Sequence, residues 1–303
     1  MTKRIFGRVI PGIIFLLLVL FLLFTITRSV IHRWGATDSE LALTLPGDEL
    51  VEQPLISWTH AITIDARPDH VWQWIAQMGD TRAGFYSFTF IENQVGAITG
   101  TEDYDVTYVN ANRIHPEWQN PQVGDQIIQD ALKLREVKQG EYMLAESVTP
   151  EAMTWIWLWY LQPINSGEQT RLIVRFAIKL PEGMDNPAAG FMMDVGGFVM
   201  ENRMLQGIRT RAEGRVEPPW LETAEIAIWV GNLAIGLFAA YLFVTREKWQ
   251  VPLLAAFLSV FSMFILTFAQ PPILHRLMML IVLIIIIVNN IQWDIKIKNV
   301  TCL

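Results

Sequence analysis

Four long apolar runs limit what this chain can become. They occupy residues 9–27, 226–244 and 251–269, with a shorter one centred on 277–288. About 19 helical residues at 1.5 Å each reach roughly 28 Å, close to the hydrocarbon thickness of a bilayer. The first three runs therefore predict helices that cross a membrane. The fourth reaches full length if His275 and Arg276 stand at one headgroup layer and Asn289, Asn290 and Trp293 at the other, which suits a snorkelling Arg and an interfacial Trp. Only Gln270, Pro271 and Pro272 separate the third run from the fourth, so these two predict a tight antiparallel hairpin. A chain that is 52% hydrophobic and only 17% charged over 303 residues fits this reading better than that of an ordinary soluble protein.

The first run follows Lys3, Arg4 and Arg8, and no small-x-small cleavage site follows Thr27, so it reads as a retained signal anchor. Lys3, Arg4 and Arg8, then Arg246 and Lys248, then Lys296 and Lys298 flank the spans on one side. The positive-inside rule puts that side and the amino terminus in the cytoplasm and the large middle segment outside. Arg28, Arg33, Arg203, Arg209, Arg211 and Arg215 oppose this orientation. The single cysteine, Cys302, allows no intramolecular disulfide, and the carboxyl terminus lacks prenylation spacing. A net charge of −7 without a basic stripe argues against a nucleic-acid partner.

These features divide the chain into an amino-terminal anchor (1–34), an acidic, irregular tether (35–54), a soluble block (55–216), a three-helix membrane region (222–296) and a tail (297–303). In the block, residues 57–65 alternate as a half-buried strand does, with Trp58, His60, Ile62 and Ile64 on one face. A short helix follows, with Pro68 in its first turn, Val71, Trp72, Ile75 and Met78 on one side, and Gly79 at its stop. Strands are expected at 104–110, 126–130, 132–138, 142–148, 153–160 and 171–179, the last two joined by the turn-forming NSGEQ at 165–169. In 153–160, Trp155, Trp157 and Trp159 share one face and Ile156, Leu158 and Tyr160 the other, so both faces are large and apolar. A long helix over 186–213 carries one stripe of Phe191, Val195, Phe198, Asn202 and Leu205 and a second of Met193, Gly197, Met200 and Met204. The expected fold is α+β, a curved antiparallel sheet around a long last helix, together with four transmembrane helices.

The series I-x-A-x-P-x-x-V-W-x-W-I-x-Q-M-G-x-x-R-A-G-x-Y, at residues 64–86, resembles the SRPBCC superfamily of START-like, helix-grip proteins. It is most like the bacterial members of polyketide cyclase or dehydrase type and of lipid-transport type. HPEWQNPQVGD (115–125), TWIWLWYLQP with TRLIVR (154–163, 170–175) and GFVMENRMLQGIRTRAE (197–213) follow in the same order. The resemblance covers most of the soluble block and none of the apolar runs. It implies an internal cavity, with the stretch after the first short helix entering the sheet near the cavity mouth.

That stretch, QMGDTRAGFYSFTFIEN, offers Arg82, Phe85 and Tyr86 as ligand contacts, or equally two turn glycines and core aromatics. His60 either enters the cavity or is a hydrogen-bonded structural histidine. Trp155 shares the strand face of Trp157 and Trp159, and Arg175, with Arg171, could hold an acidic headgroup or simply solubilise the sheet. Met193 and Met200, with Met184, Met192 and Met204, supply soft, polarisable packing for an irregular apolar partner or for an ordinary core. The five histidines lack metal-ligand spacing. TEDYD, with Glu102, Asp103 and Asp105, lacks the glycine and distal glutamate of a calcium loop. No cofactor-binding or nucleophile motif occurs.

The leading expectation is thus a non-catalytic, membrane-anchored domain that binds a lipid or polyketide-like small molecule, with membrane lipids as partners and no cofactor. A dozen buried methylenes at about 0.8 kcal/mol each supply roughly 10 kcal/mol before association costs. The alternatives are an accessory subunit of a larger membrane complex and, with no acid–base pair to name, a cyclase-type enzyme.

Overall fold

The computed structural model describes residues 2–93, 111–150, 153–180, 183 and 187–301. The expected strand at 104–110, the carboxylates at 102, 103 and 105, Met184 and Cys302 lie outside them. The chain forms two compact units, residues 1–25 with 219–303, and residues 26–218.

The second unit begins with the end of α1 (Thr2–Ile31) and the single turn α2 (Asp38–Leu41), continues through β1 (Ile56–Ile64), α3 (Pro68–Ala76), β2 (Gln126–Ile128), β3 (Leu132–Lys138), β4 (Tyr142–Ser147), β5 (Thr154–Ile164) and β6 (Gln169–Lys179), and includes the long α4 (Pro187–Ala212). The six strands form one sheet in the order β1-β6-β5-β4-β3-β2. Every neighbouring pair is antiparallel. Register shifts in the β2–β3 and β3–β4 pairs mark where extra residues bend the strands. Met204, Leu205 and Ile208 of α4 and Val71, Trp72 and Ile75 of α3 join Ile62, Leu134, Trp159 and Val174 in one core on the inner face. A six-stranded antiparallel sheet with one long helix on its inner face is consistent with the helix-grip arrangement implied by the motif series.

Residues 35–54, expected as a tether, are fastened to the outer face of the sheet. Leu45 and Val51 pack there against Ala61, Leu144, Ile156, Leu158 and Ile173. Their burial removes two large side chains from water, worth about 1.5–3 kcal/mol each. Thr37 and Glu40 form a capping box on α2, and Glu40 also accepts from Arg171 Nε at 2.6 Å. Arg171 holds the Glu40 carboxyl down at about 2, with the Thr37 N–H assisting against burial. This covering explains two departures from simple alternation. β1 is buried on both faces from Trp58 to Ile62 instead of on one, and β5 needs Ile156 and Leu158 outside as much as Trp157 and Trp159 inside. The free edge of β1 is covered too, because its Thr59 and Ala61 N–H groups donate to the carbonyls of His32 and Trp34, each at 3.0 Å.

The other unit contains α5 (Leu221–Thr245), α6 (Gln250–Phe268) and α7 (Ile273–Thr301), with the first part of α1. Four helical stretches are long and apolar enough to cross a membrane: Val9–Arg28, Leu221–Thr245, Gln250–Phe268 and Ile273–Gln292. This is compatible with a membrane protein. Ala239, Leu242, Ala255 and Ile287 form the dry centre where α5, α6 and α7 meet. Arg276, expected to snorkel at a headgroup layer, turns inward: its Nη2 lies 3.3 Å from Glu225 Oε1, and both side chains are buried. The turn between α6 and α7 has Gln270 at φ 43°.

Candidate functional site

Between the inner face of the sheet and α4 lies a cavity of about 270 Å³. The second stripe of α4 lines it with Met193, Gly197, Met200 and Met204, and the sheet contributes Trp58, Trp155, Trp157 and Phe176. Phe85, Ser87 and Glu92, from the aromatic stretch after α3, close another wall. Gly197 is required by close approach, since a Cβ there would stand 2.5 Å from Trp58 Cη2. The rings pack against one another rather than offering open faces. Trp58 is stacked between Phe176 at 4.1 Å and His60 at 5.6 Å, and Phe85 stacks on Trp157 at 5.7 Å. An interior of ring edges and thioethers favours a neutral apolar guest.

Two carboxylates reach this wall, and both are occupied. Glu201 Oε1 accepts from Trp58 Nε1 at 3.0 Å and meets His60 Nδ1 at 2.6 Å, while Oε2 accepts from Trp157 Nε1 at 2.9 Å. The other nitrogen of His60 meets the carbonyl of Ile31, at the end of α1. Both ring nitrogens therefore face oxygen acceptors, and the carboxylate is held by three N–H groups. Glu92 accepts from the backbone N–H groups of Phe85 and Ser87 at 3.3 and 3.1 Å. These contacts fix the walls; they leave Glu201 oriented by its neighbours and His60 behind it.

Of the residues singled out from sequence, the structure brings Phe85, Trp155, Met193 and Met200 together around the cavity. His60 lies behind Glu201 with no exposed surface. Tyr86 is not in the lining. Its φ is 58°, its hydroxyl donates to the Trp74 carbonyl at 2.8 Å, and the Arg211 guanidinium covers its ring at 5.0 Å. Burial pushes its phenol far above the ordinary range. A Cβ at Gly207 would stand 2.2 Å from the Tyr86 carbonyl oxygen, so α4 passes directly against this residue. Arg82 lies outside the lining and pairs with Asp125 at 2.8 Å. Burial works to raise the Asp125 carboxyl, and the Arg82 guanidinium and the Gln122 backbone N–H together outweigh it and hold it below the usual range. Arg175 is on the opposite side of the sheet, bonded to Asp48 and the Leu43 carbonyl, because alternation along β6 turns it away from Val174 and Phe176. Neither arginine is placed where it could meet a guest in the cavity.

Sequence reasoning missed Glu201, Glu92, Ser87, Trp58, Trp157 and Phe176 as lining residues. Glu201 had a signal, an acidic residue four positions after Gly197 and one after Met200, beside an otherwise apolar helical stripe. Among the described residues no group of three or more His, Cys, Asp or Glu side chains could hold a metal ion.

No protein-family model and no curated protein matches the chain. Among solved structures, a protein from Mesorhizobium loti aligns at 13% identity over 54% of this chain and 100% of its own, with a TM-score of 0.31. DynU16, from the dynemicin biosynthetic locus, aligns at 13% identity over 53% of this chain and 49% of its own, with a TM-score of 0.27. A norcoclaurine synthase point mutant from Thalictrum flavum aligns at 8% identity over 52% and 93%, also with a TM-score of 0.27. The sheet order and the helix packed against it define the fold.

Proposed function

We propose that this chain is a membrane-anchored START-like protein of the SRPBCC superfamily, whose cavity takes a neutral hydrophobic molecule, lipid or polyketide-like, without transforming it. One observation carries the reading: an apolar space of about 270 Å³ stands between sheet and helix, at the position the motif series implies. The non-catalytic part is supported by the engagement of Glu201. A general base must reach the reacting proton within hydrogen-bond distance, and here the carboxylate already accepts three N–H groups while His60 is shielded from the cavity. The four apolar helical stretches support anchoring, and the basic flanks Lys3, Arg4, Arg8, Arg246 and Lys248 favour an amino terminus inside and a domain outside. The partners on this reading are the membrane lipids and the apolar guest.

Native mass spectrometry of the detergent-extracted full chain tests it. A lipid-sized adduct is expected on the wild type and is expected to disappear in Met200→Trp, which fills the cavity from α4. Retention of the same adduct by a folded Met200→Trp variant, or its absence from both, refutes the cavity as the binding site. In that case, co-purification with fixed partners would favour the accessory-subunit reading.

A further inference from the structure

We propose that the cleft between α1 and the α5–α6 turn is a lipid site, which holds the acyl chains of one anionic phospholipid and sets its phosphate against Arg246 and Lys248. The proposal rests on the reading of the apolar helices as membrane spans and is independent of the cavity under the sheet.

The cleft lies wholly within the unit of apolar helices and measures about 550 Å³. Ile13 and Leu16 of α1 line one side, with Ala240 and Phe243 of α5 and Leu254 and Phe257 of α6 opposite. It exists because α1 packs loosely. None of the first apolar stretch, Val9–Arg28, is buried in the protein, whereas 17–28% of each of the others is. At Gly12, also in the lining, α1 does touch α5, since a Cβ there would lie 3.4 Å from Phe243 Cζ. A slot closed by that contact is too narrow for another helix, about 10–12 Å across with its side chains, and suits flexible chains. Water does not fill it, because a buried water needs two to four polar partners and these apolar side chains offer none.

Depth and charge choose the lipid. From Trp249 to Phe257, both in the lining, α6 advances about 12 Å, close to half of a ~30 Å hydrocarbon core, so the slot occupies one leaflet. Its mouth is the turn between α5 and α6, where Trp249 stands edge-on to Phe243 at 6.0 Å, a place that suits an interfacial tryptophan. Arg246 caps the end of α5, and its Nη1 reaches Asn290 Oδ1 of α7 at 3.4 Å, which holds the guanidinium at this mouth. Lys248 is exposed two residues on. Arg8 precedes Gly12 by one helical turn, at the same end of α1 as Lys3 and Arg4. With Lys296 and Lys298 after the last span, seven basic residues mark this side against only Glu247 and Asp294. Such a field complements a phosphate that carries no cation of its own. A zwitterionic headgroup would bring an ammonium group into it.

The test is native mass spectrometry of the detergent-extracted full chain, mixed with equal amounts of dioleoylphosphatidylglycerol and dioleoylphosphatidylcholine. Wild type and Met200→Trp are both measured, because a lipid in the cleft stays on Met200→Trp while a guest in the domain's cavity leaves it. Both chains are expected to retain the glycerol lipid severalfold more than the choline lipid. Ala240→Trp and Leu254→Trp fill the cleft from two helices at exposed positions, and each should lose that lipid. Leu237→Trp, exposed on α5 but outside the lining, should keep it. Arg246→Gln combined with Lys248→Gln should bring the two lipids to equal retention. Equal retention by the wild type overturns the proposal, as does an undiminished glycerol-lipid adduct on folded Ala240→Trp and Leu254→Trp chains. A lipid-free wild-type dimer that Ala240→Trp splits would give the face to a second copy and overturns it too. Release of the chain from vesicles by alkaline carbonate would sink the membrane reading itself; a chain that stays in the vesicles yet prefers neither lipid sinks the cleft site alone.

Discussion

Glu201 on α4 and His60 on β1 stand 2.6 Å apart, carboxylate oxygen to ring nitrogen, with essentially no solvent exposure on either side chain. The pair ties the gripping helix to the edge strand, and through the Ile31 carbonyl it also reaches the end of α1. Two indole N–H groups share the same carboxylate, so a single residue organises three aromatic or heteroaromatic walls. Removing the acceptor strands all of these donors. Glu201→Leu is expected to destabilise the domain by about 3–5 kcal/mol, read as a lowered denaturation midpoint in detergent. Glu201→Gln keeps one acceptor oxygen and is expected to cost about 1–3 kcal/mol. A loss below 1 kcal/mol for the leucine variant would show that the network does not hold the fold.

Gly207 and Gly196 lie on the same helix and make opposite predictions. Space at Gly207 is taken by the Tyr86 backbone, whereas nothing lies within 4 Å of a Cβ at Gly196. Gly207→Ala should lower stability by about 1–3 kcal/mol through overpacking. Gly196→Ala should raise it by about 0.5–1 kcal/mol through helix propensity alone. Thermal unfolding of both variants measures the contrast.

The Glu40–Arg171 contact makes the fastening of residues 35–54 sensitive to acid. The folded carboxyl sits at about 2 against an ordinary 4.5, so the folded state binds fewer protons than the unfolded state between these values. The stabilisation is therefore complete above about pH 4.5 and is lost as pH falls toward 2. Glu40→Gln should flatten this part of the pH dependence. Limited proteolysis of residues 35–54 at pH 5 and pH 3, wild type against variant, reads it directly.

Asp80 behaves in the opposite sense. Burial raises its carboxyl, Asp130 adds to the effect, and the backbone N–H of Gln129, at 2.7 Å, opposes them. Among the described residues its Oδ1 has no hydrogen-bond partner. The folded state then binds more protons than the unfolded state from the ordinary value of 3.8 up to the raised one, so this group costs stability as pH rises through that window. Asp80→Asn retains an acceptor for Gln129 and removes the charge. The variant should unfold at a higher denaturant midpoint than the wild type at neutral pH, with the difference shrinking below pH 4.

Much of this protein was legible along the chain. The apolar runs placed the four membrane-length helical stretches to within about five residues, because crossing length and residue type are both local properties. All six strands of the sheet and the long helix α4 followed from periods of 2 and 3.6, and the methionine stripe of α4 was visible as the stripe that lines the cavity. Local pattern could not say what covers a surface. Alternation in β1 promised one wet face, and residues 35–54, which look like a linker by composition, came back over the sheet to bury it. The same limit applied to Arg175 and Tyr86, whose residue types suit a ligand and whose positions serve the outer face and the core. The role of Glu201 depended on three donors from β1 and β5, brought to it from more than 40 residues away in the chain. A helix or strand is set by neighbours a few residues off, whereas a cavity wall is set by whichever distant side chains the sheet order puts face to face, and only the tertiary structure decides that.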